Sequence, residues 1–168
     1  MPIPAYMTIT NSSGTVLTKE SLTAKSVATF EQASHADEIL VQAIDAQVSK
    51  PVDPQSGQVT GVRQHKPVTF TKIMDQASPL LWDALCRGEQ LVFELKYYRT
   101  TSAGKPEHYF TTKWEDALLV DGKAYYPLAL LASNNAITHM EDWSFSYKKV
   151  TWDHLVAGKT GSDSWEDM

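Results

Sequence analysis

The chain is short of the residues and runs that would announce a compartment or a chemistry. It has one cysteine, Cys86, in 168 residues, so neither an internal disulfide framework nor a cysteine-rich metal site can be built from it. The residues around Cys86 follow a helical pattern, and the ordinary expectation there is a buried thiol that packs as a small apolar group. No apolar run approaches the ~20 residues that a membrane-crossing helix needs. The opening segment, MPIPAYMTIT, has no positive n-region and no unbroken apolar stretch, so it does not read as a Sec signal peptide. The expectation is a chain that folds in the cytoplasm and, if exported, leaves without such an address. Positive charge is also in deficit, with 15 Lys and Arg against 20 Asp and Glu and a formal net charge of −5. That argues against a general nucleic-acid-binding role and leaves room only for a local basic patch.

Catalytic and metal-binding signatures are equally scarce. The five histidines, His35, His65, His108, His139 and His154, show neither HxxxH nor HExxH spacing, so no zinc site can be read from them. There is no P-loop, no GxGxxG and no GxSxG elbow. Ser146-Tyr147-Lys148-Lys149 matches S-x-x-K, but that motif needs a helix to bring Ser and Lys together and here it falls in an alternating, strand-like run. The carboxylate neighbours Asp37 and Glu38, Glu115 and Asp116, and Glu141 and Asp142 would point to opposite faces of a strand and make poor acid–base pairs. The residues therefore propose no enzyme, no metal and no cofactor.

What is present is strand patterning punctuated by turns. Tyr6–Thr10 alternates and is closed by the turn Asn11-Ser12-Ser13-Gly14. Glu38–Ser49 has a two-residue apolar period with a slip between Ala43 and Ile44, as a β-bulge in a long curved strand would give; a helix with Leu40, Ile44 and Val48 on one stripe is the competing reading. Val68–Thr71 is β-branched and aromatic, and Ser78-Pro79 reads as N-cap and first turn of a helix over Pro79–Arg87, with Leu80, Leu81, Ala84 and Leu85 along one side and Gly88 as C-cap. Gln90–Arg99, His108–Leu119 and Trp143–Leu155 complete the strands. One domain over residues 1–168 is expected: mainly β, a small antiparallel β-barrel or rolled sandwich with one flanking α-helix and an extended loop.

That loop, Lys50–Lys66, is the longest connection, and long loops in compact domains tend to be functional. Arg63, His65 and Lys66 gather positive charge at its end. They form either a solvated basic loop or a contact with acidic residues of a neighbouring copy, for which charge alone offers the tail residues Asp163, Glu166 and Asp167 and the pair Asp37-Glu38. The aromatics Trp82, Trp114, Trp143, Trp152 and Trp165 suit a core or a subunit contact. The rival reading is that they line a carbohydrate or other ligand cleft on a monomeric β-barrel. Tyr97 and Tyr98 are consecutive in a strand, so one of them should leave the core and face a neighbouring protein.

The segment TGVRQHKPVTFTKIMDQASPLLWDAL resembles the central signature of the Hcp family (haemolysin-coregulated protein), the tube component of the type VI secretion system. MPIPAYMTI, ELKYYRT with GKPEHYF, and FSYKKVTWDHLVAGKTGSDSW agree with it, while 121–140 carries no family pattern and Val68 stands where phenylalanine is expected. The resemblance implies a non-enzymatic barrel that associates into six-membered rings. The rings stack into a tube, carry effectors, meet sheath and spike-tip proteins, and are secreted when the sheath contracts. It places the loop Val52–Arg63 at a ring-to-ring or subunit contact, with Asp53, Gln55, Gln58, Arg63, His65 and Lys66 as contact residues. It places Gln42, Asp45 and Gln47 toward the lumen and its cargo. Membrane insertion and nucleic-acid binding form no part of that picture.

Overall fold

Period-two alternation decides the architecture. The structure, a computed structural model, describes residues 4–167. Its strands are β1 (Ala5–Asn11), β2 (Ile39–Asp45), β3 (Val48–Ser49), β4 (Gln64–His65), β5 (Val68–Ile73), β6 (Leu91–Thr100), β7 (Pro106–Tyr125), β8 (Met140–Ser146), β9 (Lys149–His154) and β10 (Lys159–Ser164). Helix α1 (Ala24–Val27) is a single turn between β1 and β2, and helix α2 (Ser78–Arg87) joins β5 to β6. Strands β7, β6, β1, β2, β5 and β8 are hydrogen-bonded in that order, and β8 pairs back to β7, which closes an antiparallel barrel. Closure leaves those strands with no open edge.

Strand β7 carries the closure because it serves two partners along one edge. Phe110–Glu115 pairs with β9, and Leu118–Tyr125 pairs with β8. Asp116, with φ of 50°, sits where the partner changes. This switch also breaks the expected strand Trp143–Leu155 in two: β8 belongs to the barrel, while β9 and β10 form a hairpin that extends from its side. The bulge foreseen in Glu38–Ser49 is present, displaced by two residues: the β2–β5 register slips between Val41 and Ala43, leaving Gln42 as the extra residue.

Inward side chains from every barrel strand meet in one core, among them Met7, Ile39, Phe70, Phe93, Trp114 and Phe145, capped by Leu81 and Ala84 of α2. Phe93 and Phe145 stack at 3.9 Å, and Trp82 leans on Trp143 at 4.6 Å. Trp114 and Trp143 are thus core rather than cleft. Tyr98 does turn away from that core, but the chain itself covers it, with the rings of Tyr6 on β1 and His35 in the β1–β2 connection 5.5 and 5.1 Å away. On α2, Gly88 adopts the left-handed C-cap geometry expected of it (φ 67°). Leu80 is exposed, and so is Cys86, contrary to its reading as a buried thiol.

Ser78 is not an N-cap; its hydroxyl belongs to a buried ionic network. Lys72 shares the inward face of β5 with Val68 and Phe70 and is fully buried. Its three Nζ protons are shared among four acceptors, the Ile73 carbonyl (2.9 Å), Asp75 Oδ1 (3.1 Å), Ser78 Oγ (2.9 Å) and Glu141 Oε2 (3.0 Å). Glu141 lies directly across from it on β8 and also accepts from Ser78 Oγ and Trp143 Nε1. The N-cap position is Ala77, without a side-chain cap bond, and Asp75 Oδ1 orders the approach to the helix by accepting the Ala77 N–H at 2.9 Å. The network fastens the start of the helix to the barrel end.

Gly122 pairs across from Trp143, and a Cβ there would lie 2.6 Å from Trp143 Cζ3 and 3.1 Å from Trp82 Cζ3. Both rings are held by the core, so they cannot swing away. Gly122→Val is expected to cost about 1–3 kcal/mol by overpacking, measured by urea unfolding; an unchanged midpoint would show that the two indoles yield freely.

Candidate assembly site

The loop read from the sequence is a projecting hairpin. Its root is the two-residue ladder of β3 and β4, Val48 opposite His65 and Ser49 opposite Gln64. Further out, Val52 bridges Val59, and Asp53 N–H donates to the Gln58 carbonyl at 2.8 Å. The tip is an Asx turn in which the Asp53 carboxylate accepts from Gln55 N–H (3.1 Å) and Ser56 Oγ (2.6 Å), with Gly57 at φ 71° completing the reversal. Those bonds, the Ser56 hydroxyl foremost, hold the Asp53 carboxyl below its ordinary range. Gln55 and Gln58 are exposed beside it. The valines Val48, Val52, Val59 and Val62 are exposed along the hairpin, 42–62%. The hairpin therefore presents apolar as well as polar side chains.

The basic cluster divides at the hairpin root. Arg63 turns inward: its Nε donates to Asp163 Oδ2 and its Nη2 to the Ser164 carbonyl at 2.8 Å. His65, with a side chain only 3% exposed, bridges Asp163 Oδ2 (2.6 Å, Nε2) and the Tyr147 hydroxyl (2.8 Å, Nδ1), and the Trp165 ring lies 5.7 Å from it. The Nε2 proton then goes to the carboxylate and the Tyr147 O–H to Nδ1. The Asp163 carboxyl is held below its usual range, chiefly by the Arg63 hydrogen bond and then by His65. Burial, helped by the Asp163 charge, pushes the Tyr147 phenol up to about 12. A phenol that keeps its proton so firmly is a donor and an anchor, not a nucleophile. Lys66 alone stays exposed, its Nζ 3.4 Å from Gln47 Oε1. The Asp167 side chain, another of the acidic candidates, lies outside the described residues.

Gln42, Asp45 and Gln47 fall on one exposed stretch running from the β2 bulge toward the hairpin root. Gln42 also borders a groove lined by Phe30, Ile73, Ile137 and Met140. Among the described residues, no group of three or more His, Cys, Asp or Glu is placed to hold a metal ion. Nor is any helix long and apolar enough to cross a membrane. Charge alone offered Asp163 as a counterpart of the basic cluster, but the local sequence gave no signal for Tyr147, which completes the Tyr147–His65–Asp163 chain, or for the Lys72 network.

The comparisons with known proteins agree on one family. A family profile described as "Type VI secretion system effector, Hcp" matches residues 7–154. The chain is 48% identical over 166 residues to the "Major exported protein" of Pseudomonas aeruginosa, covering 98% of this chain and 96% of that protein. Among solved structures, one described as the crystal structure of Hcp protein is 39% identical with a TM-score of 0.92, covering 98% of each chain. The secreted protein Hcp3 from Pseudomonas aeruginosa is 41% identical with a TM-score of 0.81, covering 98% of this chain and 99% of that one.

Proposed function

Because the chain belongs to the Hcp family of the type VI secretion system, we propose that it is a non-enzymatic subunit of the system's inner tube, forming six-membered rings that stack. The observation that carries this reading is the hairpin. It projects beyond a closed barrel, is exposed along its length and is fastened at its root by Arg63 and His65 to Asp163. A two-stranded ribbon is marginally stable by itself, so a latched root suits a segment that must hold its shape until a neighbouring ring meets it. Asp53, Gln55 and Gln58 at the tip, with Lys66 at the root, supply the polar contacts to that neighbour, and the exposed valines supply apolar area. Arg63 and His65 act from inside the protomer by fixing the angle of the hairpin.

Gln42, Asp45 and Gln47 face the lumen in this reading. A wide wet channel needs a polar wall, and weak polar contacts let an effector be held and then released. The chain is assembled in the cytoplasm, meets sheath and spike-tip proteins there, and is expelled when the sheath contracts. Light scattering after size exclusion, with electron microscopy of the same fractions, is expected to find ring-sized particles of six copies. A strictly monomeric species at high protein concentration would overturn the reading.

A further inference from the structure

We propose that the connection between β7 and β8 is a contact by which one copy of this chain holds the next. In that contact Leu128, Leu130 and Leu131 of one copy seat in the apolar groove that Phe30, Ile73, Ile137 and Met140 line on its neighbour. The proposal rests on the ring-subunit reading above and gives it a surface. The leucines are displayed rather than packed, with exposures of 76%, 102% and 52%. Single exposed leucines are common on protein surfaces, but three within four residues form a patch that asks for a partner. The run is also held in shape. Leu131 N–H donates to the Leu128 carbonyl (3.3 Å), Asn134 N–H to the Leu131 carbonyl (2.9 Å), and Asn134 Nδ2 to the Leu128 carbonyl (3.0 Å). A preformed knob loses less entropy on docking than a floppy one.

The groove is the matching feature. The apolar hollow, of about 200 Å³, shares Phe30, Ile73 and Thr138 with a more polar one of about 300 Å³ beside it, and its rim residues Phe30 and Ile137 are 47% and 40% exposed. Charge identifies the occupant. The segment from Tyr126 to Met140 contains no Asp, Glu, Lys or Arg, and the hollows add only Lys25 to that count. Two copies of a chain with net charge −5 repel each other at a distance. A face without carboxylates is where such copies can meet without opposing like charges, and depletion of charge is the mark of an interface core. Knob and groove are built from different residues, so the contact is heterologous: each copy that receives a knob still offers its own, and the series closes into a ring or continues. A specific interface takes roughly 800 Å² per partner, so the leucines form the anchor of this contact rather than its whole extent. Gln42 lies at the edge of the groove, which places the lumen wall beside the contact.

Two measurements test it together. Leu130→Asp should leave the circular dichroism and thermal midpoint unchanged, because that side chain touches nothing in the protomer, and should raise the concentration at which rings form by about tenfold or more. In a Cys86→Ser background, Leu130→Cys and Phe30→Cys proteins mixed and oxidised should give a cross-linked pair containing one of each. Wild-type rings with no mixed cross-link, Leu130→Asp rings forming at the wild-type concentration, or a particle that closes at two copies would each overturn the contact while leaving the tube reading standing. Loss of cargo binding with intact rings would assign the patch to cargo and overturn it as well. Wild-type protein that never assembles would remove the tube reading and this contact with it.

Discussion

Lys72→Met is expected to lower the stability of the domain by about 3–5 kcal/mol, the usual cost of removing one partner from a buried ion pair. The Lys72 side chain is 0% exposed, and those of Asp75 and Glu141 are 1% exposed. Methionine matches the length of the lysine stem but leaves two carboxylates with no cation between them. Glu141 would keep the Ser78 hydroxyl and the Trp143 indole N–H as donors, and Asp75 the Ala77 N–H. Neither set neutralises the charge. Burial already pushes the Asp75 carboxyl above its ordinary range, with Lys72 the main opposing influence. A carboxyl whose pKa is raised by folding stabilises most below its unfolded pKa, about 3.9, and loses that contribution as pH rises through the folded value. Asp75→Asn keeps the acceptor oxygen and removes the charge, so its stability relative to wild type should improve as pH rises toward 7. Lys72→Met with Glu141→Gln, which keeps the acceptor for Ser78 and Trp143, should recover about half of the loss. Urea unfolding of the set decides the matter; a Lys72→Met protein within about 1 kcal/mol of wild type would mean that water or a rearranged helix start relieves the carboxylates.

That network shows where the sequence was legible and where it was not. Alternation alone puts Lys72 in phase with Val68 and Phe70, and Glu141 in phase with Trp143 and Phe145. A charged residue in an inward phase is naturally assigned to solvent, however, and its partner lies on another strand, 69 positions away. Features set by neighbouring residues could be read: the strands, the helix α2 and the left-handed Gly88 that ends it. The exposure of Cys86 was also within reach, since two residues past the buried Ala84 turns a helix by about 200° and points the thiol away from the core. Features set by remote pairing could not be read. Trp143–Leu155 alternates as one strand would, and only the change of partner along β7 divides it. Ser78 has the chemistry of a cap, yet a buried lysine and glutamate claim its hydroxyl. At the candidate site, charge alone named Asp163 among the counterparts of Arg63. The structure joins the two within one protomer, which length and composition gave no means of foreseeing.

Arg63→Glu is expected to weaken ring stacking by about tenfold or more, equivalent to about 1.4 kcal/mol, while Lys66→Glu has a smaller effect. The difference comes from where the two cations sit. The Arg63 side chain is 23% exposed and spends its donors on Asp163 and the Ser164 carbonyl. Glutamate there would set a second carboxylate against Asp163, with only His65 left to hold it. The β3–β4 ladder is two residues long and lies outside the closed barrel. The hairpin should therefore swing while the barrel keeps its thermal midpoint, and the backbone amides that the ladder protects, at Gln64 and Lys66, should exchange faster with deuterium. The Lys66 side chain is exposed and hydrogen-bonds Gln47, so reversing its charge changes a surface and not a hinge. Adding Asp163→Arg to Arg63→Glu restores an ion pair of opposite polarity and should return most of the protection and the stacking. Acid should act in the same direction as the mutation. The Asp163 carboxyl is depressed, so the latch is complete above the usual carboxylate range and is lost only as pH falls through that depressed value. Exchange rates and stacking that are identical in Arg63→Glu and wild type would show that the hairpin holds its angle without Asp163, and the contact would then have to be sought along its exposed valines.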